Sequence, residues 1–283
     1  NLMGRLISAW KTDGLQVFDQ SMQVLASCVA HCAVARQPIA DSRSLRAVTG
    51  GLIKSANAPK KQQGAERALS KAMTNDTEQA LAELAKLYRL DATVENDLAG
   101  ELGHVYHPKK GVSETRVTLL SAVLTGMLSG LAADIATGGM SLGSGMIIGG
   151  IAGAFGGKAA AFGYNRVAGT ADSWVEWDAN ALDALVVRIV MCYLIIAHAG
   201  RGRGKTVLKR EHPRWLQVVP DAVQAQRGKL RSIWDSRGSG SLAPDTERRI
   251  EDKLLPLLTG ITWDVLQTLY PHVMKLREPD ETP

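Results

Sequence analysis

The chain has 283 residues, a formal net charge of +5 and ordinary fractions of hydrophobic (45%) and charged (22%) residues. This composition is typical of a soluble globular protein of one or two domains with a sizeable core. The three cysteines, Cys28, Cys32 and Cys192, are too few for a disulfide framework and favour a reducing compartment. No secretory signal opens the chain. Because it starts at Asn1 without an initiator methionine, we expect it to be part of a longer protein.

The first third of the sequence predicts helices separated by loops. A helix capped by Asp13 should run to about Arg36, and the following Pro38 should end it. A second helix should cover 65–73, and a third should begin at Asp76. Neither this part nor any later part of the sequence shows the alternating pattern that is typical of strands.

The stretch 117–164 predicts a glycine-rich helical hairpin made of two apolar arms, 117–136 and 145–162, around a turn at 137–144. Both arms place small residues four apart, which puts them on one helical face: Ala122, Gly126, Gly130, Gly145, Gly149, Gly153, Gly157 and Ala161. Each glycine costs a helix roughly 1 kcal/mol relative to alanine. We therefore expect close antiparallel packing of the arms to stabilise this glycine zipper.

The hairpin has two interpretations. It is either the buried centre of a soluble helical domain or a membrane-contacting element, since each arm offers about 17 uncharged residues, the short end of what spans a bilayer. Basic residues cluster at the open base of the hairpin: Lys109, Lys110, Arg116, Lys158 and Arg166. In the membrane interpretation, Trp174 and Trp177 would be interface anchors in the irregular link 172–178.

A helix over 181–199, capped by Asp178 or Asn180, is the most hydrophobic conventional helix that the sequence predicts. A basic segment follows it. Between His198 and Arg231, nine lysines and arginines stand against two acidic residues, and this charge of nine minus two, +7, exceeds the total of the chain. We predict a basic surface for an anionic partner, formed by Arg201, Arg203, Lys205, Lys209, Arg210 and Arg214.

The C-terminal part is expected to be helical but interrupted. Pro213 and Pro220 should break the chain into short pieces, and the helical pattern over 245–270 should be interrupted at Pro256 and Gly260.

Residues 199–206 match the relaxed phosphate-loop pattern, in which Lys205 would reach phosphate and Thr206 would bind magnesium. A phosphate loop follows a β-strand and precedes a full helix, whereas here a predicted helix precedes the motif and Pro213 soon follows it. A nucleotide hydrolase that uses 199–206 is therefore an alternative and not the leading hypothesis.

Cys28, His31 and Cys32 share one helix face, and His104 and His107 would be needed to complete a zinc site. Because that second pair lies in a distant, unanchored loop, we expect the first three residues to pack in the core and predict no metal site.

Together these patterns predict an all-α fold, a multi-helix bundle organised around the glycine-rich hairpin. Residues 1–112 would form an N-terminal helical region, and 113–212 would hold the hairpin, the apolar helix and its basic glycine-rich terminus. Residues 213–283 would form a C-terminal helical region. We expect one compact unit.

Residues 130–143, 163–165 and above all 193–204, which end in Gly-Arg-Gly-Arg-Gly, resemble a bacterial domain of unknown function that follows the GTPase domain of Era-like GTPases. The resemblance is most specific over about 115–215. It implies that the GTPase domain is not in this chain. GTP and magnesium would bind to that missing domain, and this chain would hold no cofactor.

The leading hypothesis is a non-enzymatic regulatory or effector domain of such a GTPase, in the bacterial cytoplasm and at the periphery of the inner membrane. It would contact an anionic membrane through the hairpin and the basic surface. The alternatives are the nucleotide hydrolase and a soluble scaffold that binds protein or RNA. A homo-oligomer or a protein partner fits these hypotheses better than nucleic acid does.

Overall fold

The computed structural model describes the backbone of residues 2–38, 58–90, 164–168, 173–199, 204–238 and 242–271. Side chains are described for residues 12–38, 64–90, 174–199, 214–238 and 242–271. The elements in chain order are α1 (Leu2–Val34), β1 (Arg36–Pro38), α2 (Ala58–Leu87), β2 (Tyr164–Ala168), β3 (Ser173–Trp177), α3 (Ala179–Ala199), α4 (Gly204–Ala225), α5 (Arg227–Asp235) and α6 (Thr246–Leu269). The predominance of helix confirms the predicted all-α class. The predicted hairpin arms lie outside the described residues.

Helix α3 occupies the centre of the core. Asp178 caps it, because its Oδ1 accepts a hydrogen bond of 2.7 Å from the backbone N–H of Ala181. Every residue over 181–197 is buried, which explains why the helix is apolar on all sides. Among the described helices, α3 alone has the length and composition to cross a membrane, but 94% of its apolar window is buried inside the protein. Its hydrophobicity is therefore that of a core helix.

The other helices surround α3. Helix α1 packs against α2, α3 and α6, α4 packs against α3 and α6, and α5 packs against α3 and α6. Each contributes fully buried side chains to one core: Met22, Leu25, Leu69, Leu84, Trp215, Val219, Leu230, Leu254 and Leu258. The N-terminal and C-terminal parts of the chain are thus in direct contact, through α1 and α6.

A small antiparallel sheet, which the sequence analysis did not predict, adjoins this helical core. Its strand order is β1-β3-β2, with Arg36 opposite Glu176 and Arg166 opposite Val175. The expectation of an irregular link over 172–178 was therefore wrong. Strands of three to five residues are too short for an alternating pattern to stand out from their neighbours.

Two predicted boundaries in the first third of the chain were also wrong. Helix α1 begins at Leu2 and not at Asp13. Helix α2 is continuous across the predicted break between 73 and 76, where Thr77 Oγ1 donates a hydrogen bond of 2.7 Å to the carbonyl oxygen of Met73. The Asp76 side chain, which was expected to start a helix, instead faces α1.

Proline interrupts the C-terminal helices less than expected. Helix α4 continues through Pro213 and Pro220, and α6 continues through Pro256 and Gly260. A proline in a helix interior costs roughly 3 kcal/mol relative to alanine. Tertiary packing offsets this cost in α4, where Trp215 is fully buried and donates a hydrogen bond of 3.1 Å to the hydroxyl of Tyr270.

Candidate functional site

The predicted basic surface is described in part. Arg214 is exposed in the middle of α4. Arg201 and Arg203 lie outside the described residues. Lys205, Lys209 and Arg210 lie in the N-terminal part of α4, but their side chains are not described.

The basic character continues beyond Arg214 into α5. Over 214–231 the lysines and arginines are Arg214, Arg227, Lys229 and Arg231, all at least partly exposed, and the acidic residue is Asp221. Four basic residues and one acidic residue give this stretch a formal charge of +3. The positive charge therefore continues along the chain from Arg214 to Arg231, and we include these residues of α4 and α5 in the basic surface.

Two of these arginines are held in place by the start of α3. Arg227 Nη2 donates a hydrogen bond of 3.0 Å to Asn180 Oδ1, and Arg231 Nη2 donates to the same oxygen and, at 2.8 Å, to Asp183 Oδ2. The two arginine side chains remain 32% and 29% exposed. They are spaced four apart and so share one face of α5, where part of each guanidinium still faces solvent.

Asp183 is the buried centre of this arrangement, with 1% of its side chain exposed. Besides Arg231, it accepts a hydrogen bond of 2.8 Å from Trp234 Nε1 and lies 3.4 Å from Arg227 Nε. Burial raises the pKa of the Asp183 carboxyl, although Trp234 and both arginines act in the opposite direction. The sequence-based predictions did not include this cluster. The one feature of the sequence that could have indicated it is a single aspartate, Asp183, inside the most apolar helix.

The two predicted interface anchors lie on β3. Trp177 has no exposed surface, and its carbonyl oxygen accepts a hydrogen bond of 3.0 Å from Arg237 Nη1. Trp174 is partly buried and donates a hydrogen bond of 3.1 Å to Glu176 Oε2, which also accepts one from Arg36 Nε. In this conformation Trp177 belongs to the core, and only Trp174 offers any surface to a partner.

The small residues of the predicted glycine zipper, from Ala122 to Ala161, lie outside the described residues. The structure describes the chain on either side of them. Helix α2 ends at Leu87, and the chain is described again from Tyr164, where β2 begins and pairs with β3. Both neighbouring segments belong to the packed scaffold, because α2 contacts α1, α3, β1 and β3.

The phosphate-loop alternative gains no support from the surrounding elements. The element that ends at Ala199 is helix α3, as predicted, and Lys205 and Thr206 lie in the first turn of α4. A phosphate loop joins a β-strand to a helix, whereas this segment joins two helices.

Cys28 and Cys32 are buried on α1 as expected, but the expectation that His31 also packs in the core was wrong, because its side chain is 55% exposed. Its Nδ1 lies 3.0 Å from Glu247 Oε1, and its Nε2 lies 3.8 Å from Asp76 Oδ2. Burial raises the pKa of Asp76, while His31 acts in the opposite direction. Within the described part of the chain, no group of three histidine, cysteine or acidic side chains is placed to hold a metal ion; His104 and His107 lie outside it.

Comparison with known proteins identifies one family. The profile of a domain of unknown function, DUF3482, matches residues 1–255. No curated protein matches the chain, and no solved structure does.

Proposed function

The chain belongs to the DUF3482 family, and from this premise we propose that it is a non-enzymatic regulatory domain of a bacterial GTPase that binds an anionic membrane surface. The basic surface on α4 and α5 would make the electrostatic contact. The hairpin predicted for 117–164 would make the apolar contact. The domain would act at the cytoplasmic face of the inner membrane, in response to the nucleotide state of a GTPase domain.

The exposed positive charge of α4 and α5 supports this proposal most directly. Arg214 and Lys229 are exposed, and Arg227 and Arg231 are held with part of each guanidinium facing solvent. Basic side chains near an anionic membrane contribute about 1 kcal/mol each. The described part of the surface therefore supplies a few kcal/mol, an attraction that salt would screen.

The GTPase assignment is supported by residues 193–204, from the end of α3 to the start of α4, which resemble the domain that follows the GTPase domain of Era-like GTPases. It is tested by reading the coding sequence upstream of Asn1. We expect it to encode, in the same frame, a GTP-binding domain with a phosphate loop after a β-strand. A coding sequence without such a domain would refute this part of the proposal and leave the membrane part standing.

Vesicle sedimentation tests the membrane part. We expect the chain to sediment with vesicles of phosphatidylglycerol and phosphatidylcholine, but not with phosphatidylcholine alone, at about 0.05 M salt, and to be released at about 0.5 M. The double variant Arg214→Glu with Lys229→Glu should weaken sedimentation. A variant that reverses Arg201, Arg203 and Lys205 should do the same.

A matched control separates a local surface from overall charge. Arg67 and Lys71 are exposed on α2, away from α4 and α5. Reversing both to glutamate changes the net charge as much as reversing Arg214 and Lys229, yet should leave vesicle binding nearly unchanged. Equal losses in both double variants, or equal sedimentation with neutral and anionic vesicles, would count against the basic surface and favour a soluble scaffold.

A further inference from the structure

A groove of about 520 Å³ lies between α5 and α6, on the part of the molecule where these two helices pack together. Ile233 from α5 and Leu257 and Ile261 from α6 line it with apolar side chains, and the two isoleucines are buried. Lys229 from α5 and Lys253 from α6 also line it, and both are exposed. The α5–α6 groove thus has an apolar floor and a lysine on each of its two helical walls.

The α6 wall of the groove includes a proline and a glycine. Pro256 and Gly260 both line it and both are exposed. They are four residues apart and so lie on the same face of the helix. A Cβ atom built at Gly260 would meet nothing within 4 Å, so packing within the described chain does not require glycine at this position.

Both residues also weaken the helix that carries them. Proline lacks the N–H that would bond to the carbonyl of Asp252, and glycine is a poor helix former. Their joint placement on one groove wall leaves the backbone of α6 open to close approach by another segment. An amphipathic helix seated in an apolar groove is a common way for proteins to recognise a partner.

We propose that the α5–α6 groove binds an amphipathic helical segment of a protein partner, with an apolar stripe on the floor and acidic residues beside the lysines. Charge complementarity favours acidic residues, and not basic ones, on the flanks of the partner helix. Lys229 and Lys253 stand against Asp264 among the charged residues that line the groove, so a segment with basic flanks would meet like charge on both walls. This site is separate from the proposed membrane contact, apart from Lys229, which lies in both.

A designed peptide provides the probe. It has about 16 residues, enough for four helical turns, with leucines along one stripe and glutamates on both flanks. A second peptide carries lysines in place of the glutamates and is otherwise identical. With fluorescently labelled peptides and the whole chain, we expect the glutamate peptide to bind at least about tenfold more tightly than the lysine peptide.

Two groove variants test where the peptide binds. Gly260→Gln places a side chain over the open wall without introducing a poor helix former, and should weaken binding of the glutamate peptide by about tenfold or more. The control is Gly64→Gln on α2, an exposed helical glycine that also has nothing within 4 Å of its Cβ position. Lys253→Glu, which leaves the membrane surface intact, should reverse the preference between the two peptides.

Tighter binding of the glutamate peptide that is lost in Gly260→Gln but kept in Gly64→Gln supports the proposal. Equal binding of both peptides, no saturable binding, or equal effects of the two glycine substitutions would overturn it. Self-association of the chain that Gly260→Gln abolishes would overturn it in favour of a second copy as the occupant. Because vesicle binding is measured separately on Lys253→Glu, failure here leaves the proposed membrane function unaffected.

Discussion

Trp234 donates its indole N–H to Asp183 Oδ1 at 2.8 Å, and this hydrogen bond joins α5 to the buried start of α3. The same carboxylate accepts a hydrogen bond from Arg231 and pairs with Arg227. A buried aspartate, a buried indole and two half-exposed arginines therefore connect the core helix to the basic surface. This cluster holds Arg227 and Arg231 in place on α5.

Asp183→Ala should destabilise the protein strongly. The substitution leaves the N–H of Trp234 without its acceptor and removes the charge that balances Arg227 and Arg231. Removing one member of a buried ion pair typically costs about 3–5 kcal/mol, and the partial exposure of the arginines places our expectation toward the lower end, at about 3 kcal/mol. Urea unfolding measures this loss. Asp221→Ala, an exposed position on α4, should change the free energy of unfolding by no more than about 0.5 kcal/mol.

The raised pKa of Asp183 predicts a particular dependence of stability on pH. Burial raises this pKa above its ordinary value, so there is a pH window in which the folded protein keeps the proton that the unfolded chain has lost. Within that window the folded state binds more protons, and the contribution of this carboxyl to stability decreases as pH rises.

Asp183→Asn is the reference for this measurement, because an amide does not titrate. From about pH 4 upward, the free energy of unfolding of the unaltered protein should fall relative to that of Asp183→Asn, and then become constant once the folded carboxyl is ionised. A difference that instead grew in favour of aspartate over this range would show that the arginines, and not burial, control its pKa.

Much of the helical architecture could be predicted from sequence because its signals are local. The apolar run over 181–199 and the cap at Asp178 identified α3 almost to the residue. The buried face of α1 has an equally local pattern, because Met22, Leu25 and Val29 are three and four residues apart and all three side chains are fully buried.

What the sequence could not reveal depends on contacts between distant residues. Strand β1 forms because Arg36 and its neighbours pair with β3, about 140 positions later, and no local pattern encodes that pairing. The prolines of α4 and α6 are tolerated because tertiary packing offsets a local cost. The two walls of the α5–α6 groove are likewise separated in sequence, so the groove is visible only in the folded chain.

Arg237 also makes contacts with residues that are distant in the sequence, and these contacts lead to a further prediction. Its Nη1 donates to the carbonyl oxygens of Ala33 and Trp177 at 3.1 and 3.0 Å, and its Nε donates to that of Trp234 at 2.9 Å. Burial lowers the pKa of this guanidinium, while Glu176 acts in the opposite direction. One side chain therefore joins the C-terminal ends of α1, β3 and α5.

Arg237→Lys should destabilise the protein by at least about 2 kcal/mol although it keeps the charge, because an ammonium group does not reproduce the planar fork that reaches three carbonyls. Arg67→Lys, at an exposed position on α2, is the matched control and should be nearly neutral. Thermal and urea unfolding of both variants would provide the comparison, and equal effects of the two substitutions would show that the three hydrogen bonds contribute little.

Two glycines of the C-terminal half should respond in opposite ways to alanine. Gly260 lies inside α6 with open space around its Cβ position, whereas Gly238 has a φ of +71°, in the left-handed region. Gly260→Ala should stabilise the protein by up to about 1 kcal/mol through helix propensity. Gly238→Ala should destabilise it by roughly 1–2 kcal/mol, because a Cβ atom disfavours this backbone conformation. Urea unfolding of the pair checks both signs, and a loss of stability in Gly260→Ala would contradict the open geometry.

The buried thiols lead to the last prediction, which concerns reactivity. Cys28, Cys32 and Cys192 are all buried. A hydrogen bond with Cys28, followed by burial, raises the pKa of Cys32, and burial raises the pKa of Cys192 to about 12. Because the reagent cannot reach a buried thiol, none of the three should react with Ellman's reagent at about pH 8 until the protein unfolds.

Adding a thiol at the surface provides the internal control for this measurement. Ser232 is exposed on α5, so Ser232→Cys should react at once with one equivalent of reagent, while the three native cysteines react only after guanidinium is added. Fast reaction of a native cysteine in the folded protein would mean that α1 or α3 opens readily. Fast reaction of Cys192 in particular would contradict the description of α3 as the buried centre of the core.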